Sequence, residues 1–246
     1  MLGIFKDKSE TEIKSESVTL NEEDKEFCLY NANLILGWTR CSSYSICSAS
    51  NRMFACLNDN HQEVERKQLI RKYIAESEDQ DLKNAALIHF DFLEGLREKD
   101  QTPDVFYKLL LTAMSDKKLT LEYANNLYRS CHNDTWYTQV PDENRFAVSK
   151  WLAPDLKSKA WQETIEQIRT IASGKLQEEL RMLDDIAAQT ALLERARTMP
   201  IFNEHTSNFR ITGAFGQTRA VQWIDLQLNK LKQIQEPESP TLMFGI

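Results

Sequence analysis

The chain has 246 residues with an apolar fraction of 41% and a charged fraction of 27%, so it can bury a core without metal or disulfide support. Its formal net charge is −7, which argues against a nucleic-acid partner, because proteins that bind phosphate backbones usually carry a basic face. Its seven glycines and six prolines are few for this length and favour long helices over many short strands.

Targeting features are missing from the sequence. No run approaches the roughly 20 apolar residues of a membrane span. The apolar start of MLGIFKDKSE is too short for a signal peptide. We therefore expect a cytoplasmic protein with reduced thiols, and a peripheral position on a membrane-bound complex fits the same features.

The first half of the chain predicts a helical bundle over residues 19–135. Residues 1–18 alternate lysine with acidic residues and predict a disordered acidic tail. Thr19 and Glu22 have the spacing of a capping box, so we expect order to begin at Thr19. Thr102-Pro103 is a favourable start for another helix. Helical spacing of apolar residues predicts further helices at 21–38, 43–58, 61–76, 79–98 and 121–131.

The second half predicts a long helix with one partner. The irregular stretch NDTWYTQVP at 133–141 marks the domain boundary, and the second domain covers residues 142–236. Apolar residues recur at an average step of about 3.7 over residues 155–199, which predicts one long, nearly straight helix ended by Pro200. A helix at 217–235 is expected to pack antiparallel on it. Residues 237–246 are read as a flexible tail, and the fold class is all-α.

Three of the five cysteines, Cys41, Cys47 and Cys56, fall close together in the sequence RCSSYSICSASNRMFACL. On a helix Cys47 and Cys56 point to opposite faces, so they cannot both bind one ion. The short C-x2-C pairs of structural zinc sites do not occur. We predict buried packing residues, and a reactive thiol or a metal ligand is the alternative.

Two further places could carry chemistry. Cys131 and His132 are adjacent, but a nucleophile and its base must meet in space, which neighbours on a helix rarely do. His89 could be a buried base with Asp91 or Glu94, although residues two apart do not share a helix face. A core or boundary histidine is therefore favoured. The alternative is an enzyme or small-ligand site between helices near Cys131/His132 or His89.

The glycine turn GAFGQT at 213–218 precedes the last predicted helix. It lacks the lysine of a phosphate-binding loop, and Ala214 and Phe215 between its glycines are apolar. Arg210 and Arg219 flank the turn, which leaves anion binding as an alternative to a simple helix-entry turn with Thr218 near the first turn. We assign no catalytic, metal or cofactor-binding residue from the sequence.

The stretch LLLTAMSDKKLTLEYANNLYRSC, residues 109–131, resembles the helix–loop–helix unit of the TerB-like domains of tellurite resistance. Lys117 stands where that pattern has glycine, and Tyr123 where it has a later Glu. The resemblance covers at most residues 20–135, and it implies a compact helical module used for association in bacterial envelope or stress systems. Only Asp116 matches the loop carboxylates of the family, so no metal site is carried over. The matching residues are Ala113, Asp116, Leu119 and Thr120.

These observations predict a non-enzymatic adaptor or scaffold subunit of a bacterial multiprotein assembly. The long amphipathic helix has few neighbours to cover it, so part of its apolar face is available to other protein subunits or to a second copy. Each terminus also carries a short apolar tip that could dock into a groove as a peptide, and simple fraying of the chain end is the alternative. The predicted partner-binding residues are Leu2, Ile4, Phe5, Leu242, Met243, Phe244 and Ile246.

Overall fold

The computed structural model describes residues 20–41, 62–98, 102–132, 159–203 and 217–235. Within these residues all regular structure is helical, which confirms the all-α prediction. The helices are α1 (Glu22–Arg40), α2 (Glu63–Ala75), α3 (Gln80–Glu98), α4 (Pro103–Ser115), α5 (Leu121–His132), α6 (Lys159–Arg181), α7 (Ile186–Thr198), α8 (Pro200–Asn203) and α9 (Arg219–Gln235).

Side-chain caps set the starts of several helices. Thr102 accepts from the Val105 N–H at 3.4 Å, and Pro103 is the first residue of α4, as predicted. At α1 the cap is Asn21 instead of Thr19: Asn21 Oδ1 accepts from the Asp24 N–H at 2.7 Å. The capping-box spacing thus located the region but not the capping residue, because Asn21 supplies the same bond two positions later.

The long helix predicted over residues 155–199 is broken. The α6 helix ends at Arg181, and α7 begins at Ile186. Asp185 caps α7 by accepting from the Ala188 N–H at 2.8 Å, so its side chain stabilises a new helix start in place of continued α6. The α7 helix ends before Pro200, as predicted, and Pro200 is the first residue of α8.

Buried apolar side chains from both predicted domains belong to one continuous core in the described residues. The α5 helix contacts α1 and α3 on one side and α6 and α8 on the other. The rings of Tyr107 and Trp161 lie 5.6 Å apart between α4 and α6. The Ile201 N–H at α8 donates to Asn125 Oδ1 of α5 at 3.3 Å. The division into two domains at 133–141 stays a prediction, since the proposed boundary lies outside the described residues.

Two side chains of α6 hold the turn between α4 and α5. Lys175 Nζ donates to the Asp116 carbonyl at 2.6 Å, and the Leu121 N–H donates to Glu179 Oε1 at 2.8 Å. The lysine therefore pairs with a carbonyl at the C-terminal end of α4, and the glutamate pairs with an amide at the N-terminal end of α5. Both charges suit the ends of the helix dipoles that they contact. Burial lowers the pKa of Lys175.

The last helix packs principally against α7 and α8. Arg197 of α7 pairs with Asp225 of α9 at 2.6 Å, while Gln189, nearer the start of α7, lies with Ile234, near the end of α9. The two helices are therefore antiparallel. The predicted partner helix exists, and its main support is α7, the segment that follows the break in the predicted long helix.

Candidate functional site

A groove runs between α6 and α9, and we call it the α6–α9 groove. Its walls are α6 residues from Glu166 to Arg181 and the segment from Gln217 to Ile234, and α7 adds Gln189 and Leu193. One section has a cavity volume of about 890 Å³ and the next about 610 Å³. Gln177 and Trp223 line both sections, so the two sections adjoin along the same groove.

The groove follows from a second stripe of residues on α6. The core stripe of this helix, from Trp161 to Leu176, is buried as its apolar spacing predicts. Thr170, Ser173 and Gln177 recur at helical spacing on a different face and line the groove. Thr170 and Ser173 have short side chains, which leave space between α6 and α9. Gly174 beside them contributes no bulk, and nothing lies within 4 Å of the position of an added Cβ.

The polar end of the groove is built around the start of α9. Thr218 Oγ1 accepts from the Val221 N–H at 3.2 Å and donates to the Phe202 carbonyl at 2.5 Å. Thr218 therefore caps α9 and ties it to α8, as the helix-entry interpretation predicts. The remainder of the glycine turn, together with Arg210, lies outside the described residues.

Arg169 lies beside this end and is 9% exposed. It donates through Nε to the Ile201 carbonyl at 3.2 Å and through Nη1 to Glu166 Oε1 at 2.8 Å. Its guanidinium is thus engaged by the protein itself, and it fixes α6 against the start of α8.

The other end of the groove is apolar. Leu180 of α6, Leu193 of α7, and Leu231 and Ile234 of α9 line this end. Trp223 lines both this section and the polar one. Ile234 is 62% exposed although it is a large aliphatic side chain. An apolar channel open to solvent on a folded protein is typical of a binding site.

The charge of the groove is opposite to that of the protein. Arg181, Arg219 and Lys230 line it and are exposed. Among the described lining residues, Glu166 is the only carboxylate, and it pairs with Arg169. Within the described part of the chain, no carboxylate forms an ion pair with Arg181, Arg219 or Lys230. Among the described residues the groove therefore carries three positive charges without an ion-pair partner, in a protein of net charge −7.

His89 is buried at the junction of α1, α3 and α5. Thr39 Oγ1 donates to the Ile35 carbonyl at 2.9 Å and lies 3.1 Å from His89 Nδ1, so it accepts from the ring at Nδ1. Burial lowers the pKa of His89 to about 4. The predicted core histidine is thus in the core, and its neutral form is favoured.

The carboxylates considered as partners of His89 are engaged elsewhere. Arg71 pairs with Asp91 and also with Glu94, the latter at 2.7 Å. Lys67 adds a second ion pair to Glu94 at 3.0 Å. These cations hold the pKa of Glu94 below its usual value despite its burial. The acid–base pair that the alternative function would need on α3 is therefore not assembled by these residues.

The cysteines of the described residues occupy different surroundings. Cys131 is fully buried at the end of α5, and the side chain of the adjacent His132 lies outside the described residues. Burial raises the pKa of the Cys28 thiol to about 11, so it stays protonated. Cys41 is exposed, and its thiol donates to the Gly37 carbonyl at 2.9 Å. The prediction of a buried packing residue is wrong for Cys41, which lies just past the end of α1.

Cys47 and Cys56 lie outside the described residues, so their predicted packing role stays a prediction. Asp116, the one loop carboxylate that matches the TerB-like pattern, accepts from the Lys118 N–H at 2.8 Å and so stabilises its own turn. In the parts of the chain that the structure describes, no group of three or more His, Cys, Asp or Glu side chains could hold a metal ion.

Both predicted terminal tips lie outside the described residues, so docking through Leu2 or Phe244 stays a prediction. None of the described helices has the length and apolar content needed to cross a membrane. The sequence did not predict the groove. The signal that could have drawn attention to α6 is the stripe of Thr170, Ser173 and Gln177 beside the apolar stripe.

Comparison with known protein families, with characterised proteins and with solved structures finds no match for this chain. The resemblance of residues 109–131 to TerB-like domains therefore stays a hypothesis.

Proposed function

We propose that this protein is a helical adaptor that binds a segment of a partner protein in the α6–α9 groove. The observation that carries the proposal is the open apolar end of the groove, where Leu180, Leu231 and Ile234 border a channel that the described residues leave unfilled. An exposed apolar channel is costly in water and is stabilised when a partner covers it.

The shape of the groove favours an amphipathic helix as the occupant. Two helices form its walls, and the lining residues on α6 extend from Glu166 to Arg181. At 1.5 Å per residue this length is about 22 Å, which matches a helix of about 15 residues. Such a helix can place one apolar stripe against Trp223 and Ile234 while its polar face stays in water.

The test compares two exposed apolar residues of the same helix. Ile234 lines the groove and is 62% exposed, whereas Leu226 is 52% exposed and is not among the lining residues. Ile234→Asp places a charge in the channel without disturbing the core, and Leu226→Asp is the matched control. The tagged wild type and both variants are purified from the native host, and the bound proteins are quantified by mass spectrometry.

We expect a stoichiometric protein companion with the wild type and with Leu226→Asp, and at least about tenfold less of it with Ile234→Asp, because a charge buried in an apolar contact is strongly unfavourable. Retention of the companion by Ile234→Asp would place its binding site elsewhere. Purification with a bound small molecule and without a protein companion would favour a ligand-binding protein.

A further inference from the structure

We propose that the segment bound in the α6–α9 groove is acidic, with carboxylates beside its apolar stripe. This inference rests on the proposed function, because it names the chemistry of the partner that the groove binds. It starts from the contrast between a protein of net charge −7 and a groove whose unpaired charges are all positive among the described lining residues.

The cations stand on both walls of the groove. Arg181 is the last residue of α6, and Lys230 lies on the α9 stripe that also presents Trp223 and Ile234. Arg219 begins α9 at the polar end. A helix whose apolar stripe contacts the bottom of the groove would present its flanking positions to these side chains, so carboxylates there would form ion pairs across both edges.

The ion pairs within the protein support this interpretation. Arg197 pairs with Asp225 and Arg195 pairs with Glu122, so arginines of the neighbouring α7 helix are neutralised by the protein itself. Arg181 and Lys230 have no such carboxylate in the described residues. A basic partner would meet uncompensated like charges, which disfavours it by repulsion.

A nucleic acid is the other macromolecule that carries negative charge. The apolar end of the groove disfavours it, because Leu180, Leu231 and Ile234 offer aliphatic surface with no complement on a phosphate backbone. Single-strand binders instead combine a basic track with several aromatic platforms, and Trp223 is the only aromatic residue among the described lining residues. An acidic amphipathic helix complements both the positive charges of the groove and its aliphatic surface.

The test uses synthetic fluorescent peptides of about 15 residues whose leucines have helical i, i+3, i+4 spacing and whose flanking positions are all Glu, all Gln or all Lys. Binding to the full chain is measured by fluorescence anisotropy. We expect the Glu peptide to bind about tenfold more tightly than the Gln peptide and the Lys peptide to bind most weakly. The advantage of the Glu peptide should shrink between about 0.05 M and about 0.5 M salt.

Charge reversal of the groove provides a gain-of-binding control. The double variant Arg181→Glu/Lys230→Glu should lose affinity for the Glu peptide and gain affinity for the Lys peptide, a result that misfolding cannot produce. Lys72→Glu changes an exposed lysine of α2, outside the groove, and should leave the order of the peptides unchanged. An unchanged order in the double variant would overturn the inference.

The remaining outcomes separate the two proposals. Equal binding of all three peptides would support docking in the groove and overturn its acidic preference. Failure of all three would count against the proposed function as well. If an oligothymidylate of about 15 nucleotides binds more tightly than the Glu peptide, the partner is a nucleic acid and not a protein. Tighter binding of a peptide with the sequence of residues 236–246, which contains two glutamates and no basic residue, would make the occupant a segment of this chain.

Discussion

His89 lies in the interior with one ring nitrogen bonded and the other without a partner among the described atoms. Nδ1 donates to Thr39 Oγ1, while Nε2 is buried. Protonation would add an N–H at Nε2 in a place where the described residues offer no acceptor and water does not reach. This is the physical reason why burial lowers the pKa of His89 from 6.5 to about 4.

The lowered pKa of His89 predicts acid sensitivity of the fold. In the unfolded chain the ring has its ordinary pKa of 6.5, whereas in the folded protein the pKa is about 4. Below pH 6.5 the unfolded state therefore binds a proton that the folded state does not. The contribution of His89 to the free energy of unfolding should be fully present above pH 6.5 and should fall by about 3 kcal/mol as the pH drops to 4. Urea unfolding at several pH values measures this loss.

Other groups also titrate in this range, so the comparison needs a matched variant. His89→Asn keeps a donor near the position of Nδ1 and removes the titration. We expect His89→Asn to be less stable than the wild type at pH 7.5, because it leaves a cavity, and to lose less stability on acidification. Parallel pH profiles of the two proteins would contradict the assignment of the pH dependence to His89.

At the level of secondary structure, the turn between α4 and α5 depends on a side chain from a distant helix. Glu179 of α6 accepts from the Leu121 N–H at 2.8 Å, so it acts as a cap supplied across the core. Glu179→Ala leaves that amide without its acceptor and should reduce the free energy of unfolding by about 1–2 kcal/mol. Amide exchange at Leu121 should quicken by more than the global change.

Glu178 provides the control for this prediction, because it is the adjacent glutamate and is exposed. Glu178→Ala removes the same charge from α6 without removing a cap. Its free energy of unfolding should stay within about 0.5 kcal/mol of the wild-type value. If both variants lose the same stability, the effect is due to the charge of α6 and not to the bond with Leu121.

The sequence predicts a helix start when the capping residue belongs to the same helix. It does not predict a cap that a distant helix supplies, such as Glu179 on the Leu121 N–H. Thr102-Pro103 predicted the start of α4, because both residues act on their own helix. The break between α6 and α7 is not visible in the apolar spacing, because that spacing continues through Leu183 to Ala187. Ala187 is nevertheless exposed, so the apparent stripe no longer marks a buried face there. Asp185 was the available signal, since a short acidic side chain before Ile186 can cap a helix.

The groove depends on the whole molecule and could not be predicted from helical periodicity. Periodicity predicts the core face of each helix, and Trp161 and Ile165 are buried as their spacing requires. It does not predict that α9 packs principally on α7, which leaves a channel beside α6. The α7 helix, on which α9 packs, begins only after the break at Ile186, so an unbroken helix over residues 155–199 contains no such support for α9.

Because the two halves of the chain share one core, we expect them to unfold together, and this expectation tests the proposed domain boundary. Trp161 is fully buried between the two halves of the chain, and its ring contacts Tyr107 with centroids 5.6 Å apart. Trp161→Ala should cost about 3–5 kcal/mol through lost burial and a cavity. If the halves unfold as one unit, the most protected amides of α2, far along the chain, should lose the same free energy as those of α6.

Hydrogen exchange read by mass spectrometry measures both helices in one experiment. In Trp161→Ala we expect protection in α2 and in α6 to fall together, each by at least about a hundredfold. If that variant is too unstable to purify, Trp161→Phe should give a smaller drop in both helices. Leu226→Ala, on the exposed face of α9, should change neither helix. Full retention of protection in α2 would mean that residues 19–135 fold as a separate domain. An equal loss of protection in α2 and α6 would mean that the groove helices and the N-terminal bundle unfold together. Binding of a partner in the groove would then stabilise α1 to α5 as well.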